Sequence, residues 1–218
     1  MKTALIIGST GLVGNDVLNQ LLESDNYDEI ISFSRKPSGK THQKLKEYLV
    51  NFEKPETWQS LVKGDVAFSA LGTTIKAAGS KENQFKVDYT YQYEFAKACS
   101  KNSVGIFVLI SSAGANSTSP FFYTKIKGKL EEDIKKLKFN GLTFIQPASL
   151  KGNRKIERSG EKISLAIIGF LNNFSILKKY TPIDSYLVAK AAINAVEIYP
   201  KTTITISDKA VFELANAR

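Results

Sequence analysis

The sequence predicts an α/β fold, a doubly wound parallel sheet with helices on both faces and a small C-terminal cap segment. Short β-rich apolar runs alternate with stretches of helical periodicity along the 218 residues, which is the pattern of a parallel sheet covered by helices. The run Val104–Ser111 is apolar on both faces, as expected of a central strand. Since no linker or composition break divides the chain, we expect a single domain over residues 1–218, with residues 151–183 as a cap within it.

The first half of the chain gives the clearest succession of elements. Thr3–Gly8 is an apolar run closed by glycine, and Val13, Val17 and Leu21 then recur at helical spacing. A second strand at Glu29–Ser34 ends before a turn sequence of lysine, proline, serine and glycine. The following predicted elements are a strand at Tyr48–Phe52, a short helix near Pro55, a strand at Asp65–Leu71 and a helix at Lys81–Lys101, which lacks glycine and proline.

The second half continues the alternation. A helix is predicted at Phe122–Leu137 because Ile126, Leu130 and Ile134 share one face. The remaining predicted elements are a strand at Gly141–Pro147, a helix at Asp184–Tyr199 and a strand at Thr202–Ile206. The intervening cap segment is rich in lysine and arginine, which favours an anionic cofactor or substrate if it covers the carboxyl edge of the sheet.

Composition excludes several classes of function. A single cysteine, Cys99, and a single histidine, His42, leave no internal disulfide, too few ligands for a zinc site and little basis for a serine–histidine triad. Apolar runs are too short to span a membrane, and the N-terminus lacks the features of a secretory signal, so a cytoplasmic protein without membrane contact is expected. The net charge is +9, yet only four of 30 basic residues are arginine, so we expect no nucleic-acid partner.

A glycine-rich loop between the first strand and the first helix predicts a dinucleotide site. Glycines at the first, fourth and seventh positions allow a tight turn, close approach of a pyrophosphate and close packing of helix on strand. Amide groups at the helix N-terminus then face the phosphates. The predicted cofactor-binding residues of this loop are Gly8, Ser9, Thr10, Gly11, Leu12, Val13 and Gly14.

The end of the second strand favours NADP over NAD. A cofactor with a free ribose 2′-hydroxyl is usually held by an acidic residue about 20 residues beyond the glycine loop. Here Arg35 and Lys36 occupy that place, and the guanidinium of Arg35 suits a 2′-phosphate. NADPH is therefore the predicted cofactor, with a small molecule as substrate and a monomer or homodimer as the assembly.

Three tyrosine–lysine pairs have the four-residue spacing that places both side chains on one helix face, where a lysine can lower the pKa of a phenol. They are Tyr93 with Lys97, Tyr123 with Lys127 and Tyr186 with Lys190. The second pair is favoured because Ser111 and Ser112 end the central strand just before it, at the edge of the sheet where ligands bind. The predicted catalytic set is Ser112, Tyr123 and Lys127, with Ser111 as the alternative serine.

The motifs GSTGLVG, FSALGTT, KVDY, LISSAGANS, YTKIKGKLE and QPASLKG occur in this order along nearly the whole chain. Together they resemble the atypical short-chain dehydrogenase/reductases of the Tat-interacting-protein type, an NAD(P)-binding Rossmann family. The resemblance implies that Ser112 binds a substrate carbonyl, that Tyr123 is the acid, and that Lys127 holds the nicotinamide ribose while lowering the tyrosine's pKa. It also implies that Leu71, Gly72 and Thr73 pass beside the adenosine or the central ribose, and that Pro147 and Ala148 back the nicotinamide.

Two positions depart from that family. Gln146 stands where arginine is usual before the proline, and Asn51 stands at a strand end where aspartate is common. These departures weaken the assignment of the cap's anchor and of the adenine contact.

The predicted function is hydride transfer from NADPH to an unidentified carbonyl or related small molecule. Two alternatives use the same fold: an NADP(H)-binding regulatory or redox-sensing protein without turnover, and a nucleotide-sugar-type epimerase or isomerase. The complete serine, tyrosine and lysine set favours the oxidoreductase, because a sensor does not need it.

Overall fold

The computed structural model describes residues 2–151 and 182–217 of the chain. Nine strands lie in these ranges: β1 Thr3–Ile7, β2 Glu29–Ser34, β3 Leu45–Leu49, β4 Val66–Ser69, β5 Ile106–Ile110, β6 Gly141–Gln146, β7 Leu150–Lys151, β8 Ile183–Asp184 and β9 Thr203–Ser207. The α-helices are α1 Leu12–Glu23, α2 Ile75–Ala78, α3 Lys81–Phe85, α4 Tyr91–Lys101, α5 Phe122–Lys135, α6 Ser185–Ile198 and α7 Lys209–Asn216. A π-helical turn, Lys86–Thr90, joins α3 to α4 into one continuous helix.

Seven strands form a parallel sheet in the order β3-β2-β1-β4-β5-β6-β9, which confirms the predicted fold class. The strand order reverses between β1 and β4, so the loops that follow these strands diverge to opposite sides and leave a crevice at the carboxyl edge. The glycine-rich loop follows β1 and therefore lies at this crevice.

Helices cover both faces of the sheet and divide the core into two layers. On one face α1, α6 and α7 bury Val17, Leu21 and Val188, while on the other face α4 and α5 bury Phe95 and Leu130. The five inner strands are buried on both faces, because each face of the sheet contributes to one layer, whereas the edge strands β3 and β9 are partly exposed. Residues 2–151 and 182–217 contain no helix that is long and apolar enough to cross a membrane.

The third strand differs from its prediction. It spans Leu45–Leu49 rather than Tyr48–Phe52, since its register on β2 runs out where Ser34 pairs with Leu49. Phe52 is buried, but its ring packs edge-on against Trp58 and stacks on Tyr91 instead of lying in the sheet. The apolar residues after position 49 thus fill the core from a loop.

Three further features differ from the sequence prediction or add to it. The region near Pro55 forms two 3₁₀ turns, Pro55–Thr57 and Gln59–Leu61, rather than an α-helix. The sequence prediction lacks the terminal helix α7, although Val211 and Leu214 recur at helical spacing. The predicted cap lies outside the described residues except for its two ends, where β7 and β8 pair as a two-stranded parallel sheet.

Candidate functional site

The glycine loop after β1 is closely packed, with no room for a side chain at two of its three glycines. Gly8 has φ +84°, and a Cβ there would lie 2.5 Å from the Ala70 carbonyl carbon. A Cβ at Gly14 would lie 2.1 Å from the Gly8 carbonyl oxygen, whereas one at Gly11 would come no nearer than 3.2 Å to that oxygen. The packing thus requires glycine at positions 8 and 14 and brings α1 against the turn.

The N-terminus of α1 presents free amide groups at this turn. Gly11 is the N-cap residue, no described side chain caps the helix, and its first turn contains no acidic residue. The Gly11 amide donates to the Gly8 carbonyl over 2.9 Å, which closes the turn. The following amides form a positive helix end suited to a phosphate, so the residues present fit a pyrophosphate.

The side chains of the loop divide between the surface and the interior. Thr10 is exposed, while Ser9 is fully buried and its hydroxyl lies 2.7 Å from the Ser32 hydroxyl of β2. Val13 is buried in the core beneath α1. Of the residues predicted to bind the cofactor, Ser9 and Val13 therefore have only their backbone available to a ligand.

Arg35 and Lys36 follow β2 directly and are both exposed. The Ser34 hydroxyl donates to the Lys36 carbonyl over 2.6 Å and holds this turn in shape. Burial and Glu53 raise the pKa of Tyr91, at the start of α4, and the charges of Lys86 and Arg35 offset part of this. Asn51, by contrast, accepts a hydrogen bond from the Glu53 amide and serves its own turn.

The loop after β4 is fixed by polar groups of the helix that follows it. The Thr73 amide donates to Asp88 Oδ2 over 3.1 Å, and the Thr73 carbonyl accepts from Gln84 Nε2 over 3.2 Å. Leu71 and Thr73 are half-buried, whereas Gly72 is exposed. The segment that the family resemblance places beside the ribose is thus held at both its amide and its carbonyl.

Ser112 and Tyr123 are brought together at the carboxyl edge. The Ser112 hydroxyl donates to the Ala113 carbonyl over 3.3 Å and lies close to the phenol of Tyr123, which is in the first turn of α5. Burial and the carboxylate of Asp88 raise the pKa of Tyr123 above its usual value, and the nearby Ser112 hydroxyl offsets only part of that. This direction is opposite to the predicted lowering of the pKa by Lys127.

The Lys127 ammonium contacts a backbone carbonyl and a buried carboxylate. Lys127 is 1% exposed, donates to the Ile110 carbonyl over 3.3 Å and lies 3.9 Å from Asp88 Oδ1. Burial lowers the pKa of Lys127, and the charges of Asp88 and Glu131 work against this lowering. Within the described residues the lysine thus belongs to a buried charge network.

Ser111 is not the serine beside the phenol. Its buried hydroxyl donates to Glu131, a carboxylate that also accepts from Gln146 Nε2 over 2.9 and 3.1 Å. Gln146, which departs from the family pattern, therefore satisfies a buried acid beneath the site. The geometry favours Ser112 over Ser111 as the serine that can reach a ligand.

Gly128 sets the distance between the serine loop and α5. A Cβ on Gly128 would lie 2.2 Å from the Asn116 carbonyl carbon, so the loop after β5 rests directly on the helix backbone. The Asn116 amide donates to the Thr124 carbonyl over 3.0 Å, and the Ala113 amide donates to the Pro147 carbonyl over 3.0 Å. Pro147 is buried and lies beside this loop, as does the half-buried Ala148 that follows it.

The two alternative tyrosine–lysine pairs lie elsewhere. Lys97 forms an ion pair with Glu94 and packs over the Tyr93 ring on the outer side of α4. Tyr186 is 53% exposed at the start of α6, where its carbonyl accepts from Gln20 of α1. Neither tyrosine is placed beside Ser112.

Sequence reasoning missed most of the buried polar residues around the site. Gln84, Asp88 and Gln92 follow one another at four-residue intervals, and all three are buried. Gln92 accepts from the Ser69 hydroxyl at 2.9 Å and donates to the Asp88 carbonyl at 2.9 Å. This periodic polar stripe in an amphipathic helix is the signal that could have identified them.

Comparison with known proteins supports a nucleotide-binding role. The family described as NAD(P)H-binding matches residues 8–163, which confirms the predicted NAD(P)-binding Rossmann relationship. A mitochondrial protein of Meyerozyma guilliermondii, named FMP52, is 39% identical over 196 residues, covering 87% of this chain and 83% of that protein. The FMP52-1 protein of Scheffersomyces stipitis is 35% identical over 201 residues, covering 89% and 88% of the respective chains.

Solved structures share the fold at low sequence identity. The enzyme WbmH of Bordetella bronchiseptica, in complex with NAD+, has a TM-score of 0.72 at 18% identity, covering 95% of this chain and 75% of that one. The oxidoreductase YlbE of Lactococcus lactis has a TM-score of 0.66 at 19% identity, covering 98% and 94%. These similarities show the Rossmann architecture.

The comparisons also correct one expectation. The N-terminal sequence predicts a cytoplasmic protein, but the FMP52 relatives are named as mitochondrial proteins. The expectation is therefore wrong. A secretory signal concerns only one route of targeting, so the expectation had no basis for distinguishing the cytoplasm from an organelle.

Proposed function

The chain belongs to the NAD(P)H-binding family, and on that premise we propose that it is an NADPH-dependent oxidoreductase that reduces a carbonyl group of a small molecule. The observation that carries the proposal is that Ser112, after β5, and Tyr123, at the start of α5, lie close together at the same edge of the sheet as the glycine loop. A dinucleotide whose phosphates lie at the N-terminus of α1 can extend along the crevice from the glycine loop to Ser112 and Tyr123.

The residues present fit a dinucleotide. Its pyrophosphate would be held by the backbone amides that follow Gly11, and its central ribose would pass near Gly72 and Thr73. When bound, NADPH supplies a hydride to the carbonyl carbon. The side chains of this protein then have to orient the carbonyl and provide one proton.

Ser112 and Tyr123 are suited to those two tasks. A carbonyl oxygen that accepts a hydrogen bond from Ser112 would lie within reach of the neighbouring phenol. Because the pKa of Tyr123 is raised, the phenol is protonated at neutral pH and can donate its proton to the developing alkoxide. This protonation state favours the reductive direction, since the reverse reaction requires a phenolate as base.

Lys127 supports this site from below. Its ammonium is close to the Ile110 carbonyl at the end of β5, directly before the two serines. In this position the Lys127 ammonium places positive charge beneath the site, and it would bind the nicotinamide ribose there. Asp88 and Glu131 compensate its charge within the core.

We further propose that Arg35 selects NADPH over NADH. Arg35 is exposed at the end of β2, adjacent to the strand that carries the glycine loop, and the four residues after it are not acidic. A guanidinium can form two parallel hydrogen bonds with a 2′-phosphate, and each charged hydrogen bond contributes roughly 1.5 to 3 kcal/mol.

Fluorescence titration of the purified protein with NADPH and NADH tests both proposals. We expect NADPH to bind at least about tenfold more tightly, and Arg35→Ala to remove most of that difference. Lys63→Ala, which removes an exposed positive charge distant from this turn, is the matched control and should leave both affinities unchanged. Absence of binding of either nucleotide would refute the cofactor assignment, and equal affinities in the wild type would refute the role of Arg35.

We propose a mitochondrial location for this chain, from the names of its relatives. Fractionation of cells that express a tagged full-length chain tests this. Recovery of the chain in the cytosolic fraction alone would contradict it.

A further inference from the structure

Asp88 is a buried carboxylate with contacts on two sides. It is fully buried in the π-helical turn between α3 and α4, where its Oδ2 accepts from the Thr73 amide at 3.1 Å. Its Oδ1 accepts no hydrogen bond from any residue in the described parts of the chain and lies 3.9 Å from the Lys127 ammonium. The same side chain thus contacts the loop after β4 and faces the lysine of α5.

The neighbours of Asp88 fix its position. Gln84, one turn before it, donates to the Thr73 carbonyl, and Gln92, one turn after it, donates to the Asp88 carbonyl and accepts from Ser69. The segment from Ser69 to Thr73 is therefore held at both of its ends by hydrogen bonds to this polar stripe. A wide π-helical turn at the centre of such a stripe is typical of functional sites.

The charge around Asp88 comes from α5. Lys127 and Tyr123 face it from this helix, and Glu131 faces Lys127 from one turn further along. A buried ammonium is costly without a compensating anion, and Asp88 is the carboxylate within 4 Å of it among the described residues. A neutral side chain at position 88 would leave that ammonium without this partner.

We propose that Asp88 is a positioning residue whose negative charge holds Lys127 and the Gly72–Thr73 loop in one arrangement, so that the two sides of the nicotinamide-binding crevice are coupled. One consequence rests on the proposed function: loss of the Asp88 charge weakens NADPH binding because it displaces Lys127. The coupling itself is a property of the protein without ligand.

A double-mutant cycle on the full-length protein without nucleotide tests the coupling. Asp88→Asn keeps an oxygen for the Thr73 amide and removes only the charge, while Lys127→Met removes the ammonium and keeps the length of the chain. Each single change leaves one buried charge without its partner. We therefore expect the Tm shift of the double variant to be more favourable than the sum of the single shifts by about 3 °C or more.

Asp133→Asn is the control for removing a carboxylate. Asp133 lies on the outer side of α5 and pairs with Lys129 and Lys136. Combined with Lys127→Met, it should give additive Tm shifts. Additive shifts for Asp88→Asn would overturn the proposal, and non-additive shifts for the control would do the same, because they would show that the cycle does not report direct contact.

Fluorescence titration of the same variants with NADPH tests the consequence. We expect Asp88→Asn to weaken NADPH binding by about tenfold in the wild type and by less than about twofold when Lys127 is already methionine. Equal losses in both backgrounds would refute a role through Lys127. If the wild type itself does not bind NADPH, the proposed function fails, while the unfolding cycle still decides whether Asp88 positions Lys127.

Discussion

The two sides of the carboxyl edge solve the same problem in opposite ways. The glycine loop after β1 presents backbone amides and excludes side chains, with Gly8 and Gly14 packed against neighbouring carbonyl groups. On the other side, three charged side chains are buried between α5 and the π-helical turn before α4 and compensate one another: Asp88, Lys127 and Glu131. One side is defined by close approach of the main chain, and the other by charge balance.

This difference determines how each side responds to change. A backbone site fails when atoms are added, since there is no space for them and no side chain whose rotation would create it. A charge network fails when atoms are removed, since the remaining groups stay buried without partners. The glycine loop is therefore best tested by adding atoms, and the charge network by removing them.

The largest effect is expected from adding one methyl group to the glycine loop. Gly14→Ala places a Cβ 2.1 Å from the Gly8 carbonyl oxygen, so the turn must move. We expect a loss of about 3 kcal/mol in the free energy of unfolding and a loss of NADPH affinity of about 100-fold or more. Urea unfolding and nucleotide fluorescence measure the two effects.

Gly11→Ala is the matched control in the same loop. Its Cβ would come no nearer than 3.2 Å to the same oxygen, so we expect a loss of stability below about 1 kcal/mol. If the two substitutions lower the free energy of unfolding equally, close packing against the Gly8 carbonyl is not what makes the loop sensitive to Gly14→Ala.

On the other side of the edge, Tyr123→Phe removes only the phenolic hydroxyl, which is the proposed proton donor. We expect turnover with NADPH and a panel of aldehydes and ketones to fall at least ~100-fold, with NADPH affinity nearly unchanged. The absorbance of reduced nicotinamide follows the reaction. Turnover that survives the substitution would remove Tyr123 from the mechanism.

Glu131→Ala tests the deepest part of the charge network. It leaves Ser111 and Gln146 without their common acceptor and Lys127 with one compensating charge fewer. The expected loss is about 3 kcal/mol in the free energy of unfolding in urea. Glu132→Ala, at the adjacent exposed position, should cost less than about 1 kcal/mol, and an equal cost would place the effect in the helix rather than in the network.

The smallest effect concerns pH. Burial raises the pKa of Asp88 to about 6 despite the opposing charge of Lys127, so ionisation is less favourable in the folded protein than in the unfolded chain. The wild type should therefore lose about 2 kcal/mol of stability relative to Asp88→Asn as pH rises from about 4 through about 6. Urea unfolding of both proteins across this range measures the difference, and a constant difference would show that Asp88 titrates normally.

The contrast between the two sides also explains what could be predicted from sequence. The glycine loop, the basic residues after β2 and the spacing of Ser112 to Tyr123 are local features, because all their members lie within a few turns of chain. The parallel sheet with helices on both faces follows from the alternation of elements, whereas the order of its strands was not predicted. Most element boundaries are within about two residues of those predicted.

The charge network depends on contacts that spacing does not show. Asp88 and Lys127 are on different helices, and only packing of these helices reveals that they are 3.9 Å apart. The four-residue spacing correctly placed Lys127 on the same helix as Tyr123, but its side chain is turned toward a carboxylate that the pattern did not include. The pKa of Tyr123 is raised rather than lowered as predicted, because burial and the charge of Asp88 outweigh the effect of the Ser112 hydroxyl.

Gly128 determines what counts as an intact site in related sequences. Because the loop that carries Ser112 rests on the bare helix backbone at this position, the alignment of serine and tyrosine is a property of main-chain contact. A homologue with a larger residue there could keep the same serine, tyrosine and lysine, yet its loop would have to move away from the helix. The glycine is therefore as informative as those three side chains when related sequences are compared.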